Sequence, residues 1–314
     1  MQKIENLKML PKISDSISYL YVEKCKIEQD SFAIKVVYLE KEVSIPCANL
    51  TVLFIGPGVS ITHAAIISLS YAGCLIIWCG ENLRRFYAHG YGETKSAKNI
   101  LKQAYACFNN DVHLKIVQKM YKLRFPDLDM NHMNLEQMRG LEGVRMRTTY
   151  NMYSKQFNIP WNGRNLKGID YTKMDLINKG ITYNNSLLYS ICLGVIITLG
   201  YSSAIGFIHV GNINSFIYDI ADLYKCVTSI PSAFETLSKL KSENKIQDIN
   251  NNIGYFESEL RKNFRSYVYK NKLLSKIVSD LNYLFHDVEI DYGNNTEGAL
   301  WDFNKEIDSN KNYG

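Results

Sequence analysis

Between Gly206 and Lys225 the chain reads GFIHVGNINSFIYDIADLYK, and His209, Asp219 and Asp222 within it carry side chains able to hold a cation. Gly206 and Gly211 bracket His209, which places the histidine on a short strand or turn. Asn214 and Ser215 are helix-capping types, and the apolar residues after them fall at Phe216, Ile220, Leu223 and Val227, a single helical stripe. Steps of about 100° per residue put Asp219 at the edge of that stripe and Asp222 about 60° beyond it. The two carboxylates share a face, and a turn carrying His209 can fold back over the helix start. Carboxylate oxygens and one imidazole, with no thiolate, suit Mg²⁺ or Mn²⁺ better than a structural zinc. This is equipment for metal-assisted phosphodiester chemistry. A purely structural reading stands beside it: acids early in a helix favour its dipole, and a histidine between glycines also serves as an ordinary turn residue.

A fourth acid, Glu142, lies upstream in MRGLEGVRMR, three residues from both Arg139 and Arg145 on one helical face. As a surface ion-pair ladder this contributes only roughly a few tenths of a kcal/mol. Gly140 and Gly143 beside it each cost a helix roughly 1 kcal/mol relative to alanine, and small residues there suit a close approach to the backbone. An acid among arginines also suits a metal ligand beside a phosphate, the arginines holding phosphate oxygens while the acid holds the cation. Seven basic residues and one acid occur between Lys95 and Arg124, and Arg261, Lys262, Arg265, Lys270 and Lys272 form a later cluster. Each face alone reads as solvated surface. Several together point to phosphate-backbone binding.

The elements that must position these residues fall into two halves. SYLYVEK, SFAIKVVYLE, VSIP, LTVLFIG, CLIIWCG and LRRFYA are short runs rich in β-branched and aromatic residues, with a helix over 60–71 among them. Cys25–Asp30 reads as a polar turn. His89-Gly90-Tyr91-Gly92 marks a linker, and the pattern beyond it is helical. Helices are expected at 94–108, 111–125, 135–157, 172–199, 216–228, 232–240, 255–269 and 273–285, with Asn134 and Gln137 as a capping pair and 242–252 as a loop. This is an α+β chain. A small β-rich N-terminal domain spans 1–87, a linker 88–93, an all-α domain 94–286 and an acidic, flexible tail 287–314. Trp301 and Phe303 are the tail's candidate partner anchors.

A length of 314 residues accommodates two domains with real cores. The composition, 46% hydrophobic and 21% charged at net charge +5, is that of a soluble protein. Seven cysteines, an odd number with no CxxC pair, and the lack of a signal peptide suggest reduced thiols in the cytoplasm. No Asp, Glu, Lys or Arg occurs between Lys179 and Asp219, but glycines and serines interrupt the stretch, so it reads as a buried central helix rather than a membrane span. No GxxxxGK[ST] loop, GxSxG elbow or zinc-finger spacing occurs, which leaves ATP hydrolysis and serine hydrolase chemistry unsupported.

The strings THAA (62–65), HLKIVQKMYKLRF (113–125), QMRGLEGVRMRTTY (137–150), WNGR (161–164) and GYSSAIGFIHVGNINSFIYDIADLYK (200–225) carry a resemblance. The chain resembles the integrase subunit of the CRISPR spacer-acquisition complex, most closely the subtype I-E form, from about Ser16 to Phe285. The resemblance implies a β-sandwich-like domain followed by an all-α catalytic domain. It implies a homodimer, with two dimers flanking a dimer of a small ferredoxin-like partner in a 4:2 complex. By position, Glu142, His209 and Asp222 become ligands of Mg²⁺ or Mn²⁺, and Asp219 an essential acid beside them. Tyr189 and Tyr218 line the site, and Arg85, Arg139, Arg145, Arg164 and Lys225 are expected on double-stranded DNA. The implied function is a metal-dependent DNA integrase. It inserts short fragments into the repeat array by transesterification from a 3′-hydroxyl. A structure-selective endonuclease and a non-catalytic DNA-binding scaffold are the alternatives. The chain departs from the family pattern at Leu166, where a tyrosine is expected, and at Asn212, where a lysine is expected.

Overall fold

The first half builds two four-stranded sheets from short strands. In chain order these are β1 (Tyr19–Val22), β2 (Lys26–Asp30), β3 (Ala33–Val37), β4 (Glu42–Pro46), β5 (Val52–Ile55), β6 (Ser60–Ile61), helix α1 (His63–Tyr71), β7 (Leu75–Cys79) and β8 (Phe86–Gly90). One sheet has the order β1-β5-β7-β8, parallel except for the last pair, and the other β4-β3-β2-β6. The computed structural model describes residues 19–81, 86–90, 96–164 and 171–290. Arg85, Leu166, Trp301 and Phe303 lie outside them.

β5 shows why the halves join. Successive strand residues face opposite sides. Leu53 and Ile55 belong to the core between the two sheets with Ile27, Ile34, Ala65 and Leu69. Val52 and Phe54 belong to the core of the helical half. All four are buried, so the strand reads as an unbroken apolar run.

The helical half comprises α2 (Lys98–Phe108), α3 (Asn110–Arg124), α4 (Leu135–Phe157), α5 (Leu176–Thr198), α6 (Ser215–Asp222), α7 (Ser229–Ser242), α8 (Ile246–Asn251), α9 (Ile253–Lys270) and α10 (Leu273–Phe285). α5 is its axis. It is long and apolar enough to cross a membrane, but 83% of its apolar window is buried inside the protein, so it is the central core helix. Its Gly194 lies against the first sheet, where an added Cβ would stand 3.3 Å from Val52 Cγ2. None of the seven cysteines forms a disulfide.

The α+β architecture is as expected, with differences in detail. Ser60–Ile61, expected to open a helix, is strand β6, and the helix starts at His63 behind the Thr62 cap. Residues 26–30 are strand β2 rather than a turn: Ile27 pairs with Val36 and is fully buried, and the turn falls at Ser31, with φ 53°. One buried residue in five gives no alternating signal. The expected loop at 242–252 contains α8, whose Ile249 is buried against the core. The expected helix at 216–228 stops at Asp222, and a 3₁₀ turn over Lys225–Val227 follows. β8 continues to Gly90, past the end of the strand run LRRFYA.

Candidate metal centre

The centre is built from the loop between α5 and α6, from α6, and from α4. Asp219 has no solvent exposure. Its Oδ2 accepts the backbone N–H of Phe207 (2.6 Å) and Ile208 (3.1 Å), and its Oδ1 accepts that of His209 (2.9 Å). Oδ1 also accepts the ring Nδ1–H of His209 at 2.7 Å. One buried carboxylate thus folds the loop and fixes the imidazole tautomer, leaving Nε2 as the free acceptor. Carboxylate–histidine pairs orient metal-binding imidazoles in this way. The bond to Asp219 is also the main reason the His209 pKa stands above its usual value, against the opposing effect of burial and with help from Asp222.

His209 Nε2 lies 3.9 Å from Asp222 Oδ2. Asp222 Oδ1 pairs with Lys225 Nζ at 2.5 Å. Burial disfavours the Lys225 ammonium, but Asp222 and Tyr189 outweigh it and hold the lysine pKa above normal. The ammonium sits 5.0 Å from the centre of the Tyr189 ring. Tyr189 meets Tyr218 edge-on at 5.2 Å, and Tyr218 meets His209 at 5.8 Å. Aromatic rings therefore wall the centre on one side.

Glu142 approaches from α4, which opens with a full capping box: Gln137 N donates to Asn134 Oδ1 and Asn134 N donates to Gln137 Oε1, both at 2.9 Å. Glu142 Oε1 accepts Arg145 Nη1 at 3.2 Å. Its Oε2 is buried without a hydrogen bond, 3.7 Å from Nη1 of Arg124. Arg124 was not singled out in the sequence. Its side chain is 1% exposed, and its Nε and Nη2 also lack partners among the described residues. It ends an ordinary amphipathic helix, and nothing in KMYKLRF marks it as facing Glu142.

The donor set fits a hard divalent cation. It offers a bare buried carboxylate oxygen, an oriented imidazole and a second carboxylate. His209, Asp219 and Asp222 are brought together. Glu142 is turned to its arginines, and among the described residues no three metal-binding side chains stand in ligating contact. Burial pushes up the Tyr121 hydroxyl, on α3, and the Cys226 thiol, in the turn after α6, and the charges of Glu142 and Asp222 both add to each rise.

The expected DNA-contact residues are dispersed around this centre. Arg139 is exposed and lines a cavity of about 320 Å³ with His113, Tyr121, Phe207 and Ile208. Arg164 bonds Thr182 Oγ1 (3.2 Å) and Asn178 Oδ1 (3.4 Å) on α5. Asn212 is exposed on the His209 loop. Among the described residues, and apart from the backbone of α4 itself, nothing comes within 4 Å of a Cβ built at Gly140 and only Arg147 Nη1 does so at Gly143.

Fold and centre together define a two-part α+β protein with an acid-and-histidine centre in its helical half. Residues 125–269 match the family "CRISPR associated protein Cas1". The CRISPR-associated endonuclease Cas1 2 of Thermus thermophilus is 37% identical over 316 residues, covering 98% of this chain and 94% of the relative. The CRISPR-associated endonuclease Cas1 of a Clostridium species is 34% identical over 305 residues, 97% of each chain. The crystal structure of the TtCas1-DNA complex superimposes with a TM-score of 0.70 at 38% identity, covering 88% of this chain and 100% of that one. The chain belongs to the Cas1 family of CRISPR-associated proteins.

Proposed function

We propose that this chain is a metal-dependent DNA integrase of CRISPR adaptation, with endonuclease activity from the same centre. The carrying observation is the His209–Asp219 pair, which aims Nε2 at Asp222. Relatives named as Cas1 endonucleases and a structural neighbour solved with DNA support the reading. Glu142, His209 and Asp222 would hold Mg²⁺ or Mn²⁺, which when bound polarises phosphoryl oxygens and lowers the pKa of an attacking hydroxyl.

The protein's own groups supply the rest. Asp219 keeps the histidine proton on Nδ1. Lys225, held charged by Asp222 and Tyr189, offsets negative charge that develops on the phosphate. Arg139, Arg145, Arg164 and Arg85 grip backbone phosphates, and Tyr189 and Tyr218 limit water. Joining a 3′-hydroxyl to a repeat phosphodiester forms one P–O bond and breaks another. The proton of the attacking hydroxyl is balanced by protonation of the departing 3′-oxygen, so no energy-rich cofactor is consumed. The full reading includes a cytoplasmic homodimer of the subtype I-E kind, two of which flank a dimer of a small ferredoxin-like partner.

The test is a strand-transfer assay with a labelled duplex bearing free 3′-hydroxyls and a supercoiled repeat plasmid, the partner present, with Mg²⁺, Mn²⁺ or EDTA. Metal-dependent joined products are expected. Cutting without joining would leave an endonuclease, and binding without products a scaffold.

A further inference from the structure

Asp219 holds one side of the loop that delivers His209. The other side is held by α2. Asn99, Gln103 and Cys107 are spaced four apart and share one face of that helix. Asn99 Nδ2 donates to Leu199 O at 2.7 Å. Gln103 is fully buried, and both polar atoms of its side chain bond the loop backbone. Its Nε2 donates to Ser202 O (2.9 Å) and Ile205 O (2.8 Å), and its Oε1 accepts Ser202 N (2.7 Å). Cys107 Sγ lies 3.8 Å from Gly206 O. His113, at the start of α3, continues the row, with Nε2 at 2.8 Å from Phe207 O.

The loop has no helix or strand between Thr198 and Ser215. Its main-chain groups must therefore find partners elsewhere. α2 supplies them at Leu199, Ser202 and Ile205, and Asp219 supplies them from Phe207 to His209. Gly206 is the junction. A Cβ there would collide with His209 O and stand 2.7 Å from Ser215 Cβ, so the loop cannot take up slack at that point.

We propose that Gln103, assisted by Asn99, is a positioning residue for His209: it sets the loop register that lets Asp219 aim the imidazole. This rests on the reading of His209 as a metal ligand. Nothing else in the α2 sequence suggests a role in the centre, because neither amide contacts the acids or the histidine ring.

The test is Mn²⁺ binding to the full chain, followed by electron paramagnetic resonance, with amide hydrogen exchange at Phe207, Ile208 and His209 as a second readout. Gln103→Met keeps the side-chain volume and removes all three loop bonds. It is expected to weaken Mn²⁺ binding about 10-fold, the effect typical of losing an outer-shell partner, and to speed exchange at the three amides. Asn263→Leu is the matched control. Asn263 makes three comparable bonds, to Ser232 O, Glu235 Oε2 and Thr236 Oγ1, between α9 and α7. It should lower the melting temperature without moving Mn²⁺ affinity. Gln103→Met binding within about threefold of wild type, or an equal loss in Asn263→Leu, overturns the proposal. If Gln103→Met does not fold, Asn99→Ala is judged by the same criteria. A wild-type chain that binds no Mn²⁺ would instead bring down the metal reading itself, and this inference with it.

Discussion

Asp219 and Asp222 sit three residues apart on α6 and have opposite environments. Asp219 is sealed from solvent and accepts four hydrogen bonds, while Asp222 keeps 21% of its side chain exposed and faces His209 Nε2. Asp219→Asn removes the charge and one of the two acceptor oxygens, so at least one buried loop amide loses its partner. That costs on the order of 1–3 kcal/mol, read as a lower melting temperature, together with Mn²⁺ binding weaker by about 10–100-fold. Asp222→Asn takes the counter-charge from the largely buried Lys225 ammonium and should also lower the melting temperature, but it leaves the amides of Phe207, Ile208 and His209 bonded to Asp219, so their hydrogen exchange stays slow while metal-dependent chemistry is abolished. Spacing showed that the two aspartates share a face and that a turn carrying His209 can fold back over them, and the family resemblance turned that into a site. Their division of labour was not legible there, because a helical projection places Asp219 near the apolar edge without showing that three loop amides converge on it.

α6 and the loop before it act as one element. Gly206 is the position where backbone meets backbone, and Gly206→Ala should collapse this arrangement. Loss of ~2 kcal/mol or more by urea unfolding is expected, because neither His209 O nor the Ser215 backbone can move aside cheaply. α4 offers a gentler test. Its capping box was readable as Asn134-x-x-Gln137, and Asn134→Ala should cost about 1 kcal/mol with little effect on the centre. Caps and apolar stripes are local, which is why α3, α4 and α10 were found within a residue or two of their observed ends. β2 and α8 were missed because each is fixed by tertiary contacts: Ile27 by its place between the sheets, Ile249 by the helical core. Arg124 and Gln103 were invisible for the same reason, since their partners lie 18 and about 100 residues away in the chain.

At the scale of the molecule, one sheet is shared by two cores, and α5 lies close against it at Gly194. The alternation along β5 was hidden in a uniformly apolar run, so the joining of the halves could not be read from sequence. At the far end, Lys119 of α3 closes α10, donating to Tyr283 O (3.2 Å), Leu284 O (3.3 Å) and Asp287 Oδ2 (2.9 Å). A cation at a helix C-terminus complements its dipole. His286 and then Lys119 hold the Asp287 carboxyl down to about 2. A depressed carboxyl stabilises the fold above its unfolded pKa, and that contribution is lost as pH falls through the folded value. The melting-temperature difference between wild type and Asp287→Asn should therefore be present at neutral pH, close as pH falls through about 2, and shrink with salt because the group is exposed. The most direct measurement on the proposed metal centre is strand transfer by wild type and Asp222→Ala side by side, with the small partner, the 3′-hydroxyl duplex and the repeat plasmid, in Mn²⁺ and in EDTA. Joined products from wild type in Mn²⁺ alone, and none from the variant, are the predicted result. Equal joining by the variant, or joining that persists in EDTA, would contradict it.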